Sequence, residues 1–412
     1  MANKSQTGIF YGWVIVAVGF VVLMVLWGFQ YSYGIFFESL CKEFNWTRTM
    51  VSGAYSVFMV FHCALYPVAG IANDKYGPRM SLLLCALLMS TGFALMSRIN
   101  APWQLYMAYG VVLGGGISFA FLPVTSAVTH WFVKRRGMAL GITTAGIGMG
   151  TLALAPFAQF LIFKFDWRVS YLIIAGLVLI IVLPISRLVR LNPSEKGLLP
   201  YGAEETIARK TNDSLASMAD FTAKEALKER AFWILFLVDA FHIMAVQTIM
   251  LHLKTCATDV GISPMVAATI LGAVGGASVL GRIAMGSASD RIGRREAYLI
   301  NLFLMAIMML WVIKAKQPWQ FFLFSTIFGF GYGGCVPLGP AIIGDWFGTK
   351  YHGSILGVLT LSGAIGGIGP VMAGHIYDVT GNYNLAFIIE AIGLFIAAGC
   401  CLLLKAPSTR PA

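Results

Sequence analysis

Twelve long apolar runs divide this sequence, at residues 10–37, 49–72, 78–97, 102–131, 138–163, 168–190, 231–254, 264–287, 297–314, 318–345, 353–377 and 383–404. Most approach or exceed the ~20 residues a helix needs to cross a bilayer. In hydrocarbon a backbone amide finds no water, so such runs fold as helices whose hydrogen bonds close within the segment. Only 11% of the chain is charged, against about 25% in a soluble domain. The expected class is an all-α integral membrane protein with twelve transmembrane helices. The first run is too long for a signal-peptide core and lacks a small-residue cleavage site, so it reads as a retained helix. The seven cysteines form no C-x-x-C pair and lie mostly inside the runs. They read as small buried hydrophobes rather than disulfides or metal ligands.

The net charge is +11, and its distribution decides what it means. With the N-terminus inside, twenty of the 29 lysines and arginines fall on inside segments, eight on outside ones, and Arg282 in a span. That bias follows the positive-inside rule. It places both termini in the cytoplasm of a multi-pass protein of the cell (inner) membrane, and it gives no support to a nucleic-acid partner. No phosphate-binding loop of the G-x-x-x-x-G-K-[ST] type is present, nor an H-E-x-x-H pair or a cluster of metal ligands. ATP drive, an enzyme activity, a bound metal and a cofactor are therefore not expected.

The sequence repeats itself. A shift of 216 residues lays Ala101-Pro-Trp-Gln104 on Gln317-Pro-Trp-Gln320, Gly70 and Asp74 on Gly286 and Asp290, and Arg79 on Arg295. Several independent matches at one offset indicate duplication, a known plan for transporters. Three domains result: an N-terminal six-helix bundle (1–191), a polar cytoplasmic linker (192–230) and a C-terminal six-helix bundle (231–412). The motif G-x-x-x-D-x-x-G-x-R closes a short inside loop in each half, as GIANDKYGPR and GSASDRIGRR. Gly70, Asp74, Arg79, Gly286, Asp290 and Arg295 are candidates for a conformational role there, with glycine permitting close helix approach.

On these loop motifs the chain resembles the major facilitator superfamily. Two further stretches, Trp131-Phe-Val-Lys-Arg-Arg-Gly137 with the small residues after it, and Phe10-Tyr-Gly-Trp13, resemble signatures of the monocarboxylate transporter family. The resemblance implies a proton-coupled carrier of small monocarboxylates such as lactate or pyruvate. It also implies an arginine where Arg282 stands. An acidic residue one turn earlier and a lysine in the first helix, common in better-studied members, are replaced here by Ser278 and Tyr31.

Arg282 carries the functional argument. A cation at mid-bilayer costs ~2.5–3.5 kcal/mol on insertion scales, so it needs a partner or a cavity. Its repeat mate is Tyr66; a residue serving the scaffold alone is more often present in both halves. A guanidinium suits a carboxylate through paired, charge-assisted bonds, whereas the structural alternatives are snorkelling to headgroups or pairing with Asp239 or Asp290. Tyr332 replaces Gly116 of the first half and is a candidate substrate ligand. His252, Phe119, Tyr31 and Tyr33 are further candidates for the substrate pocket. His252 and Asp239, the latter three residues from His242, are candidates for the coupled proton.

The resulting expectation is alternating-access symport of a small monocarboxylate anion with a proton, by a protein working as a monomer in the lipid bilayer. The alternatives are a dicarboxylate/monocarboxylate exchanger and a carboxylate sensor on the same fold.

Overall fold

The computed structural model describes residues 10–132, 136–202, 221–348 and 351–407, apart from the side chains of residues 74, 136, 137, 290, 352 and 353. Twelve helices in it are long and apolar enough to cross a membrane: α1 Tyr11–Phe44, α2 Arg48–Asn73, α3 Lys75–Met96, α4 Pro102–Trp131, α5 Met138–Phe165, α6 Trp167–Ser186, α7 Arg230–Asp259, α8 Pro264–Ser289, α9 Arg294–Val312, α10 Pro318–Phe347, α11 Ser354–Thr380 and α12 Asn384–Leu402. They match the twelve apolar runs in order and nearly in extent. α1 and α7 run past the expected ends, to Phe44 and Asp259. The charges that would have stopped them are neutralised locally: Glu38 of α1 binds Lys254 of α7 at 2.8 Å and Lys42 at 2.6 Å.

Local sequence explains several helix starts. α4 and α10 open on the repeated Pro-Trp-Gln, with proline at the first helical position, where no amide partner is needed. Gln104 Oε1 accepts the amides of Asn100 and Ala101, at 2.6 and 3.2 Å. Gln320 Oε1 does the same for Lys316 and Gln317, at 2.7 and 3.0 Å. Gly77 and Gly293, equivalent in the repeat, turn the α2–α3 and α8–α9 loops with φ of +79° and +101°, a region L side chains avoid. Arg79 then folds back, its Nε donating to the Val189 carbonyl at 2.8 Å. The side chains of Asp74 and Asp290 lie outside the described residues.

The face that holds Phe10 and Leu404 is called here the near face, and the one that holds the α1–α2 turn the far face. At the near face the two aromatic signatures meet. Phe10 lies 5.7 Å from Trp131 and 5.9 Å from Phe132, and Trp13 lies 5.0 Å from Phe132, measured between ring centres.

The halves are joined along α8–α5 and α2–α11, with α1 against α7; α8 is held between α5 of the first half and α10 of its own. A Cβ on Gly148 would lie 2.5 Å from the Gly275 carbonyl oxygen, and one on Gly275 would lie 2.6 Å from that of Gly148. The α8–α10 contact is tighter: a Cβ on Gly281 would come within 2.0 Å of the Phe330 carbonyl oxygen, and one on Gly333 within 2.0 Å of that of Ser278. These are backbone atoms that cannot rotate away. Small residues of this kind let helices associate where water supplies no hydrophobic drive.

Gly281→Ala or Gly333→Ala should therefore force α8 and α10 apart, a cost of about 1–3 kcal/mol for overpacking. Thermal unfolding in detergent should show a lower midpoint for both, while Gly357→Ala, which meets nothing within 4 Å, stays near the parent. An unchanged midpoint for Gly281→Ala would contradict the packing described.

Candidate functional site

The close α8–α10 contact also places the side chains beside it. Arg282 and Tyr332 are sequence neighbours of Gly281 and Gly333, so backbone contact brings them together. Arg282 is 5% exposed. Its Nη1 donates to the Thr144 carbonyl of α5, in the other half. Its Nη2 donates to the Tyr332 hydroxyl at 3.3 Å, and the guanidinium carbon lies 5.7 Å from that ring's centre. Nε has no hydrogen-bond partner. Among the described residues no carboxylate lies within ion-pair distance of it, so the structural alternative of pairing with Asp239 finds no contact here.

Tyr332 extends the group across the seam. Its hydroxyl is 3.5 Å from that of Tyr31 in α1. On the other side His242 lies with its ring centre 6.2 Å from that of Tyr332. Neither His242 nitrogen has a hydrogen-bond partner, and Asp239 Oδ1 stands 3.8 Å from Nδ1. Asp239 in turn accepts a bond from Ser362. Arg282, Tyr332, Tyr31 and His242 thus form one buried polar group where the two halves meet, with Asp239 half-buried at its edge.

The remaining candidates lie elsewhere. Tyr33 donates to the Val51 carbonyl at 2.9 Å and stacks on Tyr109 at 3.8 Å, within the first half. Phe119 is buried at the break in α4, next to Ser118, whose hydroxyl bonds the His62 carbonyl at 3.0 Å. His252 sits in the contact that closes the far face. Its Nδ1 is 3.0 Å from the Tyr383 hydroxyl, and its Nε2 is 2.9 Å from the Pro370 carbonyl and 3.3 Å from Ser52 Oγ of α2.

A second polar cluster was not anticipated from the sequence. Gln30 donates to the Tyr55 hydroxyl at 3.2 Å, and that hydroxyl donates to Gln247 Oε1 at 2.9 Å. With Tyr31, Trp27, Met59 and His62, the two glutamines border a cavity of about 30 Å³, close to the share of one water in the liquid. The available signal was an uncharged one: two glutamines at mid-span, where an amide in hydrocarbon needs a partner just as a charge does.

The far face is tied across the halves by charge. Arg48 of α2 makes paired bonds of 2.8 Å to both Asp259 oxygens and one to the Tyr383 hydroxyl. Burial holds that phenol well above its ordinary range, with the Arg48 cation opposing, so Tyr383 stays a neutral hydroxyl. Asp378 of α11 accepts the amides of Arg48 and Thr49 at 2.9 and 2.8 Å, a carboxylate at the helix N-terminus where the dipole favours it. Ser56 bonds the Gly367 carbonyl at a break in α11. With Glu38–Lys254, the hydrogen bonds and ion pairs between the halves run from this face down to Arg282–Thr144.

Comparison with known proteins gives the same outline. The family profile "Major Facilitator Superfamily" matches residues 16–255 and 235–412. Monocarboxylate transporter 13 of Bos taurus is 26% identical over 401 residues, 96% of this chain and 89% of the relative. Monocarboxylate transporter 12 of Mus musculus is 28% identical over 410 residues, with 94% and 84% covered. Monocarboxylate transporter 2 of Homo sapiens is 25% identical over 420 residues, with 96% and 85% covered. Among solved structures, a bacterial homolog to the human lysosomal transporter Spinster, inward-facing and unoccupied, aligns with a TM-score of 0.72 at 15% identity, covering 98% of each chain. That likeness carries the fold alone.

Arg48→Gln should loosen the far face, since it removes the cation that Asp259 and Tyr383 share. Spin labels on Lys42→Cys and Val260→Cys, at the far ends of α1 and α7, read the separation. The distance distribution should gain a longer component in Arg48→Gln. The parent distribution retained unchanged would contradict a closure that depends on Arg48.

Proposed function

The chain belongs to the Major Facilitator Superfamily, and from that membership we propose that it is a secondary transporter that carries a small monocarboxylate together with a proton by alternating access. The observation that carries the reading is Arg282. It is a buried cation with an unpartnered Nε and no carboxylate beside it among the described residues. A guanidinium offers five donors in a fork, and two of its nitrogens are engaged, by Thr144 and Tyr332. A buried charge left unpaired is costly, so the site favours an anion. A planar carboxylate fits the fork best. The names of the relatives, monocarboxylate transporters, point to the same substrate class.

The location of Arg282 supports alternating access. Its guanidinium belongs to the second half but bonds a carbonyl of the first. A carboxylate bound there bears on the seam along which the halves must rock. Tyr332 positions the guanidinium and offers its hydroxyl, and Tyr31 closes the group from the first half. For the proton, Asp239 with His242 is the better placed of the two sequence candidates, because it borders Tyr332 and His242 has both nitrogens unbonded. His252 has both nitrogens engaged and serves the far-face closure instead. Symport of anion and proton moves no net charge across the membrane potential. By the positive-inside bias we place the near face, with both termini, in the cytoplasm and the protein in the cell (inner) membrane.

Two measurements test the proposal in proteoliposomes. Arg282→Gln should lower L-lactate uptake at least about thirtyfold, the lower end of the ~2–5 kcal/mol for removing one partner of a buried charged pair; parental uptake by that variant would refute the site. Uptake by the parent protein should follow an imposed acid-outside gradient with no internal counter-substrate. Uptake that instead requires internal carboxylate and ignores the gradient would select the exchanger.

A further inference from the structure

One titratable group is fully buried and has no part in the Arg282 site. Glu390 of α12 is 0% exposed. Its Oε1 accepts a hydrogen bond from Thr248 Oγ1 of α7 at 2.7 Å, and its Oε2 has no partner. The carboxyl occupies the space left by Gly369 of α11, where a Cβ would lie 2.8 Å from Glu390 Oε1 and 2.5 Å from Thr248 Oγ1. The packed helices carry other titratable groups: Asp239, His242 and His252 on α7, Glu296 and Tyr298 on α9, and His375, Tyr377 and Asp378 on α11. None of these forms a hydrogen bond or ion pair with Glu390 among the described residues, and the basic residues Lys254, Arg294 and Arg295 on the same helices form none either. A carboxylate here would be a buried charge with one neutral partner; the packing accommodates the uncharged acid.

The repeat shows that packing does not need this acid. The equivalents of Glu390 and Thr248 in the first half are Ile174 and Ser32, both fully buried. The second half therefore holds a carboxyl where the first is filled by a hydrocarbon side chain.

The pocket is wired to the far-face closure. Three residues within 367–370 of α11 serve both. Gly367 accepts the bond from Ser56 of α2, and Pro370 accepts that from His252, which also meets Ser52 of α2. Gly369, between them, houses the Glu390 carboxyl. α11 is broken at Gly367, between Ser362–Gly366 and Ile368–Thr380. Movement of this segment would disturb the α2 contacts and the lining of the Glu390 pocket together.

We propose that Glu390 is a proton-binding site whose occupancy holds the far face closed. With the proton bound, the neutral acid fits against Gly369 and the α11 segment stays in place. Loss of the proton to water leaves a carboxylate that this pocket does not accommodate, and the arrangement in which α11 moves and water reaches Glu390 is favoured. The assignment is independent of the role of Arg282 and of which carboxylate is carried.

The test uses the Lys42→Cys and Val260→Cys label pair on the full chain in proteoliposomes, with no substrate, across a pH series. The closed population of the parent should fall as pH rises, by up to about tenfold per pH unit where Glu390 ionises in one state only. Glu390→Gln, a permanently neutral isostere, should stay closed throughout. Glu390→Ile, which supplies the side chain of the first half, gives a second neutral variant should the amide fail to fold, and it should also stay closed. A parental pH response retained in either variant overturns the proposal and assigns the response to another group. A parent protein with no pH response also overturns it. In both cases gradient-driven lactate uptake, measured separately, decides whether proton coupling itself stands.

Discussion

The distance of closest approach of α8 to its two neighbours sets most of this structure. In a bilayer, helices gain little from hiding apolar surface and associate through packing and hydrogen bonds. Here α8 meets α10 backbone to backbone at Gly281 and Gly333, and meets α5 in the same way at Gly148 and Gly275. A larger side chain at any of these points would act as a spacer. The close contact permits Arg282 to reach Tyr332 on one side and a carbonyl of the other half on the second. The placing of Arg282 against Tyr332 and Thr144 therefore depends on residues that have no chemistry of their own.

Much of the fold was legible in the sequence because its solvent is hydrocarbon. Apolar length alone marks a span, so the twelve helices appear within a few residues. The ends of α1 and α7 were misjudged because a charge normally stops a span, and Glu38 and Lys254 neutralise each other only once the two helices are side by side. The site was legible where symmetry failed. Arg282 and Tyr332 stand against Tyr66 and Gly116 in the first half, and the structure puts them in one polar group. Symmetry could not sort the aromatics of α1. Tyr31 and Tyr33 are two residues apart, about 200° around a helix, so they face opposite sides, and only Tyr31 meets Tyr332. The Gln30–Tyr55–Gln247 cluster escaped notice because it carries no charge, though an unpartnered amide in lipid is also expensive.

The polar groups divide by depth. Inside the bundle, Arg282 keeps hydrogen-bonding capacity unused. At the far face almost everything is satisfied: Arg48 uses both terminal nitrogens on Asp259, Asp378 caps α2, and His252 engages both ring nitrogens. Unused capacity marks a place awaiting a partner, and satisfied capacity marks a latch. The breaks in α11 lie beside the latch, where the Gly367 carbonyl accepts a bond from the other half.

The ion pair between Glu38 and Lys254 has a history written into its numbering. The two residues are 216 apart, which is the offset of the duplication. The repeat puts them at the same position of its two copies, and they face one another across the halves. Gly34 lies against Met250, another pair at that offset, one turn below. Had the two halves still been copies, this point would have set like against like, two acids or two bases in repulsion at the mouth of the closed face. Attraction there became available only after the copies diverged. For this pair, inequality between the halves is the condition for attraction, whereas Arg48–Asp259, whose members stand at different positions of the repeat, needs none.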